Sequence, residues 1–530
     1  MRQHERGPKI LIAIAAVVVV GYFMVEATLL AFDVGFPLDD SWIHLQFARN
    51  LAAGNGLAYN EELVTGSTAP LWTALLSLLF LLPGNLVFWV KLLGSVLFAA
   101  GAVATYRLAR ELDVAEGLST LAGLLTLATY WLVWSALSGM EIPLFILVSL
   151  WGMILHIRER RDVGRPPVSL FLFGISILLR PEAALLVVLA LFDRLLVLRR
   201  TADGDLALAP LPWRSIGYGL VLAAMALVPT MIFFYFVGGS FLPTTFGAKT
   251  GSTRNWLPNA QYLYTVVGIL IRPQPLTFLA AGAGCLRLVE RLGTSRDRGL
   301  LPALWLIGLP LAYSFLTPEG RHILVGNFGR YYFPLFPPLI VLGVLGLERG
   351  LDAIGSSWRL GPVRLPVRAL AIALLLVPTV LTLVKGAAFY AQNVANIQDG
   401  DVEMGRWLRE HVDPRAVLAV QDIGAIKFFA GHRIVDLVGI VSPEVRPYIK
   451  AAAGPHDPYG EAGVFRYLQE QRPDYVVAFP EWHPNITGNR ELFTPVFRLD
   501  VRESMDNITL AGPVLMVYTT PWTRYPLRAS

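Results

Sequence analysis

The chain of 530 residues has one cysteine, Cys285, and only 16% of its residues are Asp, Glu, Lys or Arg. A single thiol excludes an intramolecular disulfide, and Cys285 lies in an apolar run where nothing marks it as a nucleophile or as part of a zinc cluster. Charges this sparse, gathered between apolar runs, exclude a string of soluble domains and a basic nucleic-acid face. The net charge of +5 belongs to arginine-bearing loops, so nucleic acid is not an expected partner. The sequence also lacks a repeat, a heptad array, a phosphate loop and a low-complexity tract. No two half-sequences share matching Gly/Pro interruptions, the usual mark of inverted-repeat transporters.

What is present is hydrophobic: 55% of the residues. The composition predicts an all-α polytopic membrane bundle with a C-terminal soluble α/β domain. Arg2, Arg6 and Lys9 precede an apolar run over 10–32, too long for the core of a signal peptide, so it is read as an uncleaved first span with its amino end inside. Further apolar runs at 87–107, 117–137, 142–157, 168–180, 183–197, 214–237, 274–290, 300–318, 331–348 and 368–387 bring the total to about eleven crossings. Arginines concentrate in 107–116, 158–167, 198–213, 287–299 and 349–368, which the positive-inside rule assigns to the cytoplasm. Parity then makes 69–82 a short helix at the outer surface or dipping part-way in. The membrane part is 1–390, with a first outer loop at 33–86, and 397–530 is an extracytoplasmic α/β domain in which short β-rich runs alternate with helical patterns. Asn485 and Asn507 each begin a glycosylation-acceptor triplet, a pattern common by chance.

The turns left outside carry charge: Glu141 in SGME, Arg180 and Glu182 in LLRPE, Lys249 in 241–253, and Arg321, His322 and Arg330, followed by Tyr331, in 319–332. A charge in the bilayer costs on the order of 2.5–3.5 kcal/mol on insertion scales, so such groups face a cavity or the head-group zone. Any one of them alone reads equally as a snorkelling anchor; their convergence on one side with Asp39 and Asp40 points to a site.

The stretch 36–72, FPLDDSWIHLQFARNLAAGNGLAYNEELVTGSTAPLW, anchors the reading. A helix over 41–53 would set Ile43, Phe47, Ala48 and Leu51 on one face, with His44 among them and Asp40 a turn earlier, both turned toward the bundle. The plain alternative is that Asp39, Asp40 or Ser41 caps this helix and His44 is a core histidine. Adjacent carboxylates raise one another's pKa, which suits a base or a shared cation.

A first span, then DDSWIHLQFARN, GNG and GSTAPLW, and later SGME, LLRPE and GRYYFPLFPPL, resemble the GT-C superfamily of integral-membrane glycosyltransferases, most of all bacterial relatives of protein O-mannosyltransferases and of the aminoarabinose and arabinofuranose transferases. The resemblance covers about residues 1–390 and is sharpest over 36–72; the C-terminal domain adds little. It implies a GT-C-like bundle that takes a sugar, hexosyl or pentosyl, from a polyprenyl-phosphate donor to an extracytoplasmic glycan, lipid or protein hydroxyl. It also implies Asp39 or Asp40 as catalytic base, with Asp39 preferred. Arg330 would lie near the lipid phosphate, helped by Arg180 and Lys249. Glu141, with Asp40, is the place for a divalent cation, Mg or Mn, although SGME lacks the family's acidic pair. His44, Glu182, Arg321, His322 and Tyr331 complete the expected substrate contacts. The competing classes are a transporter or lipid flippase, in which intramembrane charges line a pathway, and an envelope scaffold, which leaves Asp40 and His44 unexplained.

Overall fold

In a bilayer the backbone N–H and C=O groups must be paired within a segment, so uninterrupted Leu/Ala/Val/Ile runs become helices. The computed structural model describes residues 6–162, 165–200, 206–208, 213–241, 257–316, 329–354, 358–360, 363–454, 457, 460–501 and 507–528. Every apolar run named above is helical within them. Six helical stretches are long and apolar enough to cross a membrane: Arg6–Leu29, Leu86–Glu111, Ile142–Arg161, Ile216–Gly238, Arg330–Ala353 and Val367–His411. Counting each of two bent pairs as one span raises the number to eight. The chain is a multi-pass membrane protein.

The bends have physical causes. Ala260–Ile271, a helix the sequence reading did not foresee, meets Pro275–Glu290 at 109°. Pro273 and Pro275 flank the corner, and a proline ring can neither donate a helical bond nor admit helix before it. At the corner, Gln274 Nε2 donates to Leu125 O at 3.1 Å and to Thr129 Oγ1 at 2.7 Å. Thr129 is itself the break between Glu116–Ala128 and Tyr130–Leu137, which differ by 59°. One amide therefore satisfies backbone released at the second bend. Where Pro275–Glu290 crosses Phe336–Ile354, a Cβ at Gly284 would collide with Leu342 O, so the two backbones touch only because glycine stands there.

The segment expected to be short is short: Pro70–Leu79. Helix Val367–Ile397 continues through a π-turn, Gln398–Val402, into Glu403–His411, and so leads from the bundle into the C-terminal domain as one rod. Among its described residues that domain holds five strands: β1 (Val417–Val420), β2 (Arg433–Asp436), β3 (Tyr475–Ala478), β4 (Thr494–Asp500) and β5 (Val514–Thr519). Their order is β2-β1-β3-β5-β4, with β1 parallel to β2 and β3 and the other two pairings antiparallel. Four strands coincide with the β-rich runs of the sequence; β4 was not foreseen. The two acceptor-type asparagines are occupied, Asn485 Nδ2 donating to Glu461 at 2.6 Å and Asn507 Nδ2 to Gly512 O at 2.8 Å.

The helix of the first loop runs Asp39–Ala52 after Leu38, with no side-chain cap, so the capping role weighed for Asp39, Asp40 and Ser41 is not what their side chains do. It is sandwiched between bundle and sheet domain. Trp42, Leu45 and Ala48 belong to the core of the bundle. Ile43 and Phe47, expected to face the bundle, pack with Tyr59, Met404, Leu418 and Ile426 in the core of the sheet domain. A helix covered on both sides needs apolar residues nearly all round, and one-face periodicity misreads it.

Candidate active site

Asp39 opens this helix, and its carboxylate accepts from Gly424 N at 2.7 Å and Ala425 N at 2.6 Å, the first amides of the Gly424–Ala430 helix. A Cβ at position 424 would collide with Asp39 O, so the clasp depends on glycine. Burial pushes the Asp39 pKa up to about 7, against the pull of the two amides. Sequence reasoning preferred Asp39 as the base. Its oxygens are instead engaged in holding the sheet domain.

Asp40, one residue and 100° further round, turns the other way. It is paired with Arg330 Nη2, and its side chain remains 29% exposed. Arg330 follows Gly329, whose φ of +68° starts the Arg330–Leu335 turn, and the arginine is buried. Its Nη1 is buried without a hydrogen-bond partner among the described residues. An orphaned guanidinium nitrogen is costly and rare, and here it marks an open valence beside a part-exposed carboxylate.

One turn after Asp40, His44 Nε2 stands 3.4 Å from Glu141 Oε2. The SGME turn bearing Glu141 is fixed to the first loop by Ser41 Oγ donating to Ser138 O at 2.5 Å and by Trp72 Nε1 donating to Gly139 O at 2.9 Å. Glu141 Oε1 accepts from Arg180 Nη1 at 2.7 Å, and Arg180 Nε donates to Glu182 at 2.5 Å. Burial works to raise the Glu141 pKa, but His44 and Arg180 outweigh it and hold it at about 2. Arg180 and Arg330 both approach the Tyr331 ring, at 5.0 and 5.7 Å, so two guanidiniums lie near one aromatic ring.

The structure thus brings together Asp39, Asp40, His44, Glu141, Arg180, Glu182, Arg330 and Tyr331 from four segments remote in sequence. Lys249, Arg321 and His322 lie outside the described residues. A divalent cation between Asp40 and Glu141 does not fit this donor set. Each carboxylate is already bound to a guanidinium, and among the described residues no three His, Cys, Asp or Glu side chains converge on a metal position.

Sequence reasoning missed the contribution of the sheet domain. Asp422 and Gly424 follow the carboxyl end of β1, a parallel strand, where open α/β sheets present their functional loops; that rule was a usable signal. Burial pushes Asp422 up to about 8, with Asp39 and Asp40 adding repulsion. Tyr313, 6.2 Å from Tyr331, also borders the site and gave no sequence signal.

The helical bundle with its docked sheet is a fold shared with solved structures of membrane proteins. Among solved structures, ArnT from Cupriavidus metallidurans bound to undecaprenyl phosphate is similar with a TM-score of 0.56 at 13% identity, over 95% of this chain and 97% of that one. The apo oligosaccharyltransferase of Archaeoglobus fulgidus is similar with a TM-score of 0.57 at 11% identity, over 98% of this chain and 75% of that one. The same enzyme tethered with an acceptor peptide containing the NVT sequon gives 0.50 at 13% identity, over 88% and 69%. Residues 388–518 match a family described as a domain of unknown function, DUF8728. No curated protein matches.

Proposed function

We propose that the chain is a membrane glycosyltransferase that moves a sugar from a polyprenyl-phosphate donor to a hydroxyl of an extracytoplasmic glycan, lipid or protein. The observation that carries this is the Arg330–Asp40 pair: a buried guanidinium with one unpartnered nitrogen, joined to a part-exposed carboxylate. The ArnT structure holding undecaprenyl phosphate and the oligosaccharyltransferase tethered to an acceptor peptide support the two substrate classes.

In the proposed reaction the donor phosphate lies against Arg330, whose planar guanidinium suits two phosphate oxygens. Phosphate competes with Asp40 for Arg330 and frees the carboxylate. The acceptor oxygen attacks the anomeric carbon, its proton passes to Asp40, and the bond from that carbon to the phosphate oxygen breaks with its electron pair left on the phosphate. Glu141 fixes Arg180 and His44, and Glu182 fixes Arg180 from its other edge. Asp39 acts as a positioning residue through its clasp on Gly424 and Ala425.

This reading places the amino terminus in the cytoplasm, with about eleven crossings over 1–390 and the domain 397–530 outside, since the positive-inside rule assigns the arginine-rich connections to the cytoplasm. Purified protein in nanodiscs, given a panel of undecaprenyl-phosphate-linked hexoses and pentoses with an outer-envelope extract as acceptor, should release undecaprenyl phosphate as sugar appears on the acceptor. Movement of the lipid-linked sugar across a bilayer with its glycosyl bond intact would overturn the transferase reading in favour of a flippase.

A further inference from the structure

On the Asp39–Ala52 helix, Trp42 lies about 160° round from Asp40, so it serves a different surface. There it lines a cleft of about 280 Å³ with Phe428 and Phe429 of the sheet domain and with Asp33, Asn85 and Arg406. Asn85 caps the span that starts at Leu86, and Asp33 follows the first span, which ends at Leu29. The cleft is therefore level with lipid head groups, where aromatic side chains gather.

Its chemistry is specific. The Trp42 ring packs 5.0 Å from Phe428 and 4.8 Å from Phe429, giving an aromatic wall. Arg406 stands 3.4 Å from Asp33 and 3.7 Å from Glu403, with its guanidinium 5.7 Å from the Phe429 ring centre. Asn85 spends its Oδ1 on capping Val87 N and Phe88 N, which leaves the Nδ2 donors for a ligand. Just beneath the cleft surface, Trp42 Nε1 and Gln398 Oε1 are buried with no partner, one donor and one acceptor. Gln398 Nε2 donates to Asp33 O over a long 3.4 Å, and Gln398 is among the residues lining the cleft. Unpaired buried polar groups cost free energy and call for a partner. The two carboxylates beside Arg406 offset its charge, which disfavours a phosphate. A pyranose answers every feature: a C–H face for the electron-rich rings, and hydroxyls that both donate and accept.

We propose that this cleft binds a neutral hexosyl unit at the membrane surface, as a second carbohydrate site separate from the Asp40–Arg330 pair. The proposal stands apart from the transferase reading, because none of its residues takes part in the reaction. The hexosyl unit comes either from a glycolipid head group or from a free glycan. The test uses the full chain in phosphatidylcholine nanodiscs with a glucosyl-diacylglycerol carrying a diazirine on the sugar, and cross-linked peptides are mapped by mass spectrometry. Labelling should fall on the peptides bearing Trp42 and Phe428–Phe429. It should drop about fivefold in Phe429→Ala and about threefold in Asn85→Ser, where serine keeps the helix cap but removes the amide. Competition by soluble methyl glucoside would identify a free glycan as sufficient, and its failure to compete would identify the lipid-borne sugar. Equal labelling of these peptides by a diazirine phosphatidylglycerol, or undiminished labelling in both variants, would overturn the proposal. Position 85 is exposed, so Asn85→Ser keeps the test decisive even if Phe429→Ala loosens the domain.

Discussion

The Ile142–Arg161 helix carries buried charge at both ends, about 25 Å apart by its rise per residue, and the two ends are built differently. At the arginine-rich end, Asp193 Oδ2 meets His156 at 2.8 Å and Arg160 at 3.4 Å, while Oδ1 accepts from Leu300 N at 2.7 Å. Glu159 is likewise taken up on both oxygens, by Ser169 N at 2.9 Å and by Ser169 Oγ at 2.6 Å together with Arg194. Among the described residues the Nε atoms of Arg160 and Arg194 lack partners there, but Asp193 is wholly buried and both oxygens of Glu159 are taken up; only at the margin, where Arg298 pairs with Asp113 at 2.8 Å, is a carboxylate part-exposed. At the other end Asp40 is part-exposed and Arg330 Nη1 is unclaimed beside it. A network closed on its carboxylates fastens helices. One that sets a part-exposed carboxylate beside an unclaimed guanidinium nitrogen can bind and react.

The comparison breaks most visibly at Arg330. Arg330→Ala should lower transfer about 10²–10³-fold, the usual cost of removing one donor to developing charge, with the folded fraction little changed in a nanodisc melting assay. Asp193→Asn should do the reverse. By taking the carboxylate from His156 and leaving Arg160 with Asp297 alone as counter-charge, it should cost about 1–3 kcal/mol of stability, read as a lower melting temperature, while kcat per folded molecule stays within about twofold.

The clasp between first loop and sheet sharpens the contrast. Gly424→Ala forces a methyl group against Asp39 and should cost about 1–3 kcal/mol, with a drop in kcat because Asp40 rides on the same helix. The smallest expected effect is on pH. Asp39 and Asp422 have folded pKa values near 7 and 8, above the unfolded value of about 3.9. Folding therefore takes up protons between those values. The stability they contribute is full below about pH 4 and is lost as pH rises through about 7 to 8. Asp422→Asn should shrink the fall in melting temperature between pH 5 and pH 8.5 by roughly 3–5 °C; an unchanged slope would assign that pH dependence to other groups.

Much of this was legible in the sequence, for physical reasons. A bilayer admits few structures, so apolar runs gave the helices, and charges in short turns between them gave Glu141, Arg180 and Arg330. The bend at Gln274 was readable from Pro273 and Pro275, yet the apolar pattern of Ala260–Ile271 was passed over. What sequence order hides is which segments meet. Nothing local in Asp39-Asp40 says that the first closes on Gly424, 385 residues away, while the second faces Arg330. That division follows from the 100° between neighbouring side chains once a helix is wedged between two bodies, and Ile43 and Phe47 packing into the sheet domain are the trace of the second body.

The central claim is that Asp40 competes with donor phosphate for Arg330 and then takes the acceptor proton. It is tested most directly by measuring, for Asp40→Asn against the unaltered chain in the same nanodiscs, both the affinity for undecaprenyl phosphate and the rate of sugar transfer at saturating donor. Binding should be as tight or tighter, because a rival for the guanidinium has been removed, while transfer falls by about 10²–10⁴-fold. Transfer within a few-fold of the unaltered protein, or phosphate affinity lost along with transfer, would contradict it.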